Sequence, residues 1–230
     1  MTKHFELDPA GTLTLVVGKV QDTVNATTPL FGSTPSKPLF GSPIQPQPDA
    51  SASVPSMAGC TILVSRPNMA SASSAWRAML SSGWKESTSN RVELPEDHPE
   101  ALLLLLRIAH LQFKDVPREL NLTVLYQLAI LCDKYDCAHL TRPWLQHWID
   151  KHDLNGTYKA GYAFICWTFG LEKAFRHNMS ALIRETSMIG FSSTLFPSSS
   201  QAYLTHEGRD LRTEVLPPGM LGTLLSLCFE

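Results

Sequence analysis

Apolar and polar residues change rhythm several times along this chain, and each change marks an element. Thr12-Leu13-Thr14-Leu15-Val16-Val17-Gly18 is a β-branched, apolar run after the turn Asp8-Pro9-Ala10-Gly11, so a strand is predicted there. Cys60-Thr61-Ile62-Leu63-Val64 is a second such run, expected to pair antiparallel with the first and leave an oversized hairpin loop between them. Met69, Ala72, Trp76, Met79 and Leu80 recur at helical spacing. They predict one or two short helices covering the sheet and ending at Ser81-Ser82-Gly83. After a polar turn at Trp84-Lys85-Glu86, Arg91-Val92-Glu93-Leu94 has the alternation of a half-buried strand. Asp97 is the expected cap of the next helix, with Pro99 in its first turn and Glu100 at the positive end of its dipole. Leu102 to Leu106 offers no polar face before Arg107, which places that helix deep in the core.

The second half reads as helix after helix. Asn121 is the expected cap of a helix whose apolar positions are Leu122, Leu125, Leu128, Ala129, Cys132 and Tyr135. Another starts at Asp136 or Thr141 with the stripe Leu140, Trp144, Leu145, Trp148 and Ile149, and Pro143 in its first turn or at a kink. Tyr158, Tyr162, Ile165, Cys166 and Phe169 form one further stripe, ended by Gly170. Leu171, Phe175, Met179, Leu182 and Ile183 form the next, with Glu172 and Arg176 as an i,i+4 ion pair. Ile189 to Leu216, rich in Ser and Gly, is expected to be loop, and Pro217-Pro218 opens an apolar helix from Met220 to Cys228. The fold class is α+β: a small mixed sheet flanked by a helical cluster, with additional C-terminal helices.

Residues 23–59 differ in kind. They hold seven prolines, many Ser, Thr and Ala residues, and only Lys37 and Asp49 as charges. Such a segment buries too little apolar surface to offset its ordering entropy, so a disordered insertion is expected in the first hairpin. It repeats Pro29-Leu30-Phe31-Gly32-Ser33 as Pro38-Leu39-Phe40-Gly41-Ser42. Phe31 and Phe40 are thus candidate anchors of paired linear motifs, set against a loop expansion under weak constraint. Thr28, Thr34 and Ser42 precede proline, and phosphorylation there would add charge to a nearly uncharged tract.

Composition narrows the function classes. A net charge of −2 over 230 residues and 43% hydrophobic content fit a globular protein and give no basic surplus for nucleic acid. There is no apolar run of about 18 residues for a membrane span, and Met1 to Gly11 has no apolar stretch of the secretory type. Five cysteines (Cys60, Cys132, Cys137, Cys166, Cys228) have no disulfide-framework spacing and suit a reducing, cytoplasmic or nuclear setting.

The order GTLTLVVG, TILVS, ASASSAWRAML, WKES, RVELPED, a leucine-rich helix and LAILCDKYDC resembles a BTB/POZ domain, and more narrowly the fungal group of such proteins. Ile108-Ala109-His110 and Pro143-Trp144 with Trp148 are similar to that group as well. The resemblance implies a BTB/POZ fold over 1–22 and 60–152, the insertion at 23–59 and a helical extension over 153–230. It implies a protein–protein interaction module with protein partners. One form is a substrate adaptor for a cullin ubiquitin ligase; the alternative is a homodimer or homo-oligomeric scaffold without a ligase role. BTB adaptors place a hydrophobic residue, any residue, then glutamate at the turn that here reads Trp84-Lys85-Glu86, so the resemblance makes Trp84 and Glu86 the cullin-contacting pair. The plainer alternative has Trp84 packed over a helix end and Glu86 solvated. Three departures stand out: Thr61-Ile62 and Arg66-Pro67 predict a distorted strand end, the insertion exceeds a hairpin, and no element is expected before the first strand.

Other chemistry finds little footing. Cys132, Cys137 and His139, with His147 and His152 nearby, invite a metal, but Cys-x4-Cys is not a recurring zinc spacing, and buried thiols are expected instead. Ser65 and Ser71 to Ser74 lack a glycine-framed elbow, and no phosphate-cradling loop or zinc-protease motif occurs. Glu93 and Glu96 read as a solvated face, as do Asp133 and Asp136 beside Lys134. No catalytic residue, metal or cofactor is assigned.

Overall fold

Leu13, Leu15, Val16 and Val17 are all buried, so the strand that carries them is covered on both faces and must lie inside a sheet. In the computed structural model, the described residues are 3–18, 59–81, 83–150, 152, 159–185, 187–189, 203–206, 209–210 and 216–220. The expected disordered stretch at 23–59, apart from Gly59, falls outside them, as do Phe31, Phe40, Tyr158 and all but Met220 of the expected last helix.

Four strands form one mixed sheet: β1 (Lys3–Glu6), β2 (Leu13–Val17), β3 (Cys60–Val64) and β4 (Arg91–Leu94), in the order β1-β3-β2-β4. β2 pairs antiparallel with β3, from Leu13 opposite Val64 to Val17 opposite Cys60. It runs parallel to β4 on its other side, with Leu15 opposite Val92. β1 is an element the sequence pattern did not predict. It lies parallel to β3 with Phe5 opposite Ile62, largely exposed, and His4 Nδ1 lies 2.9 Å from Thr61 Oγ1. The turn into β2 is closed by Gly11 N–H donating to the Asp8 carbonyl. A Cβ on Gly11 would come within 2.7 Å of the Val64 carbonyl oxygen, so the close approach of turn and strand needs glycine. β3 keeps its full length and pairs on both sides, so the expected distortion at its end does not occur.

The helices then cover the sheet. α1 (Arg66–Ala72) and α2 (Ser74–Leu80) are separated at Ser73, whose hydroxyl accepts from Trp76 N–H and donates to the Tyr135 carbonyl. Lys85–Thr88 forms a one-turn helix, α3, where a plain turn was expected. α4 (Pro99–Ala109) buries Ala101 to Leu106 without interruption, as its apolar run predicts. Its cap is His98, not Asp97: His98 Nδ1 accepts from Ala101 N–H at 3.4 Å. Asp97 is instead buried, because its carboxylate serves the far side of the core, receiving Lys134 Nζ at 2.5 Å and the Tyr135 hydroxyl.

α5 (Leu122–Lys134) is capped by Asn121, whose Oδ1 accepts from Val124 N–H at 2.8 Å. A 3₁₀ turn at Ala138–Thr141 leads into α6 (Arg142–Asp150), with Pro143 in its first turn. Trp148 is the fully buried member of the α6 stripe, and its Nε1 donates to the Pro117 carbonyl at 2.9 Å. α7 (Lys159–Thr168) packs on α5, and α8 (Glu172–Glu185) packs on α7. The expected Glu172–Arg176 pair forms at 2.6 Å, exposed at both ends, whereas Ile183 faces solvent rather than the core. The stretch Ile189 to Leu216, expected to be loop, contains β6 (Tyr203–His206) and β7 (Arg209–Asp210), which form an antiparallel sheet with the preceding β5 (Ser187–Ile189) in sequence order.

Three helices end in the same way. At the C-termini of α4, α5 and α7 the residues Leu111, Asp136 and Gly170 adopt positive φ (60°, 49° and 69°). Each is followed by a 6→1 bond, from Gln112, Cys137 and Leu171 N–H to the carbonyls of Arg107, Cys132 and Cys166. This is the Schellman arrangement, for which glycine at the left-handed position is the low-cost choice. Two of the three positions do without it.

Candidate docking site

An isolated helix of four residues cannot hold itself, because nucleation fixes several dihedrals before propagation returns any bond. α3 is held from outside. The Arg66 guanidinium, at the start of α1, donates through Nη1 to the carbonyls of Glu86 (3.3 Å) and Ser87 (3.4 Å), and through Nη2 to that of Ser89. These are carbonyls a helix end leaves unpaired. Ser87 and Thr88 hydroxyls donate back to the carbonyls of Trp84 (2.6 Å) and Lys85 (3.3 Å), closing the turn from its other side.

The turn presents Trp84 at its N-cap position, 63% exposed. Trp84 is therefore not packed over a helix end, and the plainer alternative for it does not hold. Glu86, in the first helical turn, is half-buried. It lines an open groove of ≈ 470 Å³ together with Lys85, Ser89, Arg91, Val92 and Glu93. The pair is thus brought onto one turn, but Trp84 stands outside the groove that Glu86 borders.

β4 lines that groove and is one of the two edge strands of the sheet among the described residues. In register with β2, Asn90, Val92 and Leu94 turn their peptide groups inward, where Asn90 and Leu94 carbonyls accept from Thr14 and Gly18 N–H. The outward peptide groups of Arg91 are occupied by one side chain: Ser89 Oγ accepts from Arg91 N–H (3.1 Å) and donates to the Arg91 carbonyl (2.5 Å). A strand edge closed in this way is blunted against pairing with another strand. The exposed Arg91–Glu93 ion pair at 3.7 Å adds charge to the same edge.

The other sequence candidates are placed elsewhere. Cys132 and Cys137 are buried neighbours, and the Cys132 thiol is held well above its ordinary pKa, first by its hydrogen bond with Cys137 and then by burial. Burial pushes the Cys60 and Cys166 thiols up to about 11. Cys60, Cys132 and Cys166 are therefore protonated thiols without thiolate reactivity at neutral pH. His139 and His147 are exposed, while His152 Nε2 lies 2.8 Å from the Leu120 carbonyl oxygen. Among the described residues no three His, Cys, Asp or Glu side chains come together as a metal site. Glu93, Asp133 and Asp136 face solvent as expected, but Asp97 does not. Among the described residues no helix is long and apolar enough to cross a membrane.

A second exposed apolar group lies past the end of α4. Leu111 is 72% and Phe113 49% exposed, and the Phe113 ring sits 5.3 Å from Trp144. Sequence patterning missed Arg66, Ser89 and this patch. Arg66 acts twenty residues down the chain, and nothing in its local sequence names that target. Leu111 and Phe113 sit in a connector where no periodicity marks a face.

Compared with models of known protein families and with curated proteins, the chain matches none.

Proposed function

We propose that this chain is a protein–protein interaction module of the BTB/POZ kind, docking a cullin scaffold through Trp84 and Glu86 as the adaptor face of a ubiquitin ligase. The observation that carries this reading is the exposed Trp84 on an externally held turn. A large aromatic side chain kept in water at a fixed position is costly unless a partner covers it, and tryptophan is among the commonest hot-spot residues. Burying its free surface would stabilise a complex by about 2 kcal/mol or more. Glu86 beside it supplies a carboxylate at the rim, and the order of the sheet strands and covering helices through α5 supports the same family reading. The experiment is recovery of a purified cullin on immobilised wild-type chain and on Trp84→Ala, Glu86→Ala and the double variant. The double variant is expected to lose cullin; equal recovery by all four proteins would sink the assignment.

A homo-oligomeric scaffold is the second reading, carried by the Leu111–Phe113–Trp144 patch. Its occupant is a second copy of the chain. Light scattering at micromolar concentration is expected to show a dimer that Phe113→Asp dissociates and Trp84→Ala leaves intact. A monomer at all concentrations would remove this reading.

A further inference from the structure

We infer that Arg66 is the positioning residue of the docking turn: it holds Lys85–Thr88 helical and so sets where Trp84 and Glu86 stand. The inference rests on the docking role proposed for Trp84, and adds to it a residue that touches no partner. Three observations carry it. The Arg66 fork reaches three carbonyls of one short segment, Glu86, Ser87 and Ser89, which a single-point ammonium could not span. The segment has no buried residue of its own, so packing does not fix it. Arg66 is itself anchored, because the preceding amide, Ser65 N–H, donates to the buried His110 Nε2 at 2.9 Å. A continuous line of hydrogen bonds therefore runs from the C-terminus of α4, through the start of α1, to the turn that presents Trp84. Without the fork, α3 keeps its back-bonding hydroxyls, the Ser87 N–H to Trp84 carbonyl bond and its contact with α2, but no side chain holds its carbonyl end, and Trp84 is released to sample many positions before binding. Binding must then bear the ordering entropy that the fork removes in advance.

The test uses the full chain with Arg66→Ala, Arg66→Gln and Arg66→Lys. Backbone 13Cα shifts are read for residues 85–88, and cullin affinity is measured alone and in a Trp84→Ala background. The Ala and Gln variants are expected to lose helical shifts over 85–88 while α4 and α5 keep theirs, and Lys to fall between. Affinity is expected to drop about tenfold, equivalent to ~1.4 kcal/mol. In the Trp84→Ala background the same change is expected to cost clearly less than about tenfold, because only Glu86 is then left for Arg66 to position. Helical shifts retained in both the Ala and Gln variants would overturn the inference. So would an undiminished tenfold loss in the Trp84→Ala background, which would make Arg66 a contact in its own right. If Trp84→Ala binds cullin like the wild type, the docking assignment falls, while the shifts alone still decide whether Arg66 holds the turn.

Discussion

Tyr135 donates its hydroxyl to the buried carboxylate of Asp97, tying the last turn of α5 to the segment just before α4. The phenol's pKa is raised, by burial first and by the Asp97 charge second, so it stays a donor at every working pH. Lys134 meets the other carboxylate oxygen, but that side chain is 45% exposed, so water screens much of the ion pair. The energetic weight lies on the buried carboxylate and phenol.

Asp97→Ala is accordingly expected to cost about 2–4 kcal/mol, since it leaves a buried hydroxyl without its acceptor and opens space in the core. Tyr135→Phe is expected to cost less, about 1–2 kcal/mol, because Lys134 still pairs with the carboxylate. Urea denaturation of both variants measures this. A loss below 0.5 kcal/mol (roughly the scale of an exposed substitution) for Asp97→Ala would remove the link.

Leu111 combines left-handed backbone with an exposed side chain, so it gives up conformational energy without packing in return. Leu111→Gly is expected to raise stability by about 0.5–1 kcal/mol, the strain relieved less the extra entropy of an unfolded glycine. Asp136→Gly is expected to gain less, because Asp136 Oδ2 accepts from Ser74 Oγ at 2.6 Å and that bond is lost. The urea midpoint, at unchanged slope, is the readout; a lower midpoint for Leu111→Gly would contradict the strain argument.

Acid is expected to weaken the fold through two histidines. His98 Nδ1 and His110 Nε2 each accept an amide hydrogen bond, which a protonated ring cannot do. Burial is the first cause lowering both pKa values, opposed by Glu100 for His98, and by the Leu106 carbonyl and Asp8 for His110. The unfolded histidines take up protons as pH falls through about 6.5, while the folded ones do so only lower. The contribution is complete above that value and is lost as pH drops from 6.5 toward the lowered folded values. Denaturant stability at pH 7.5 and pH 5 should show the loss, and His98→Asn, which keeps a capping oxygen, should reduce it. A flat profile in the wild type would exclude the mechanism.

The sheet and α4 were legible in the sequence because their burial is local and periodic. Leu13 to Val17, Cys60 to Val64 and Leu102 to Leu106 carry their own pattern, and each lies where that pattern puts it. What was not legible depends on distant partners. Lys3–Glu6 has no apolar alternation and is a strand only because β3 offers it an edge. Asp97 has the composition of a cap, and only the approach of Lys134 and Tyr135 makes it a core acceptor. The same is true at the turn of Trp84 and Glu86. Trp84 and Glu86 can be picked out by residue type, but the helix that carries them exists through Arg66, and its blunted neighbour through Ser89.

The pairing of Val17 with Cys60 has one more consequence. The strands that flank residues 19–58 meet at a single rung, and β2, on the amino-terminal side, sits between β3 and β4. A protease cut anywhere in that stretch would not trim the protein. It would produce two complementing fragments, the smaller supplying an interior strand with Leu13, Leu15 and Val17 fully buried. The pair would then behave as a heterodimer, with a stability that depends on concentration.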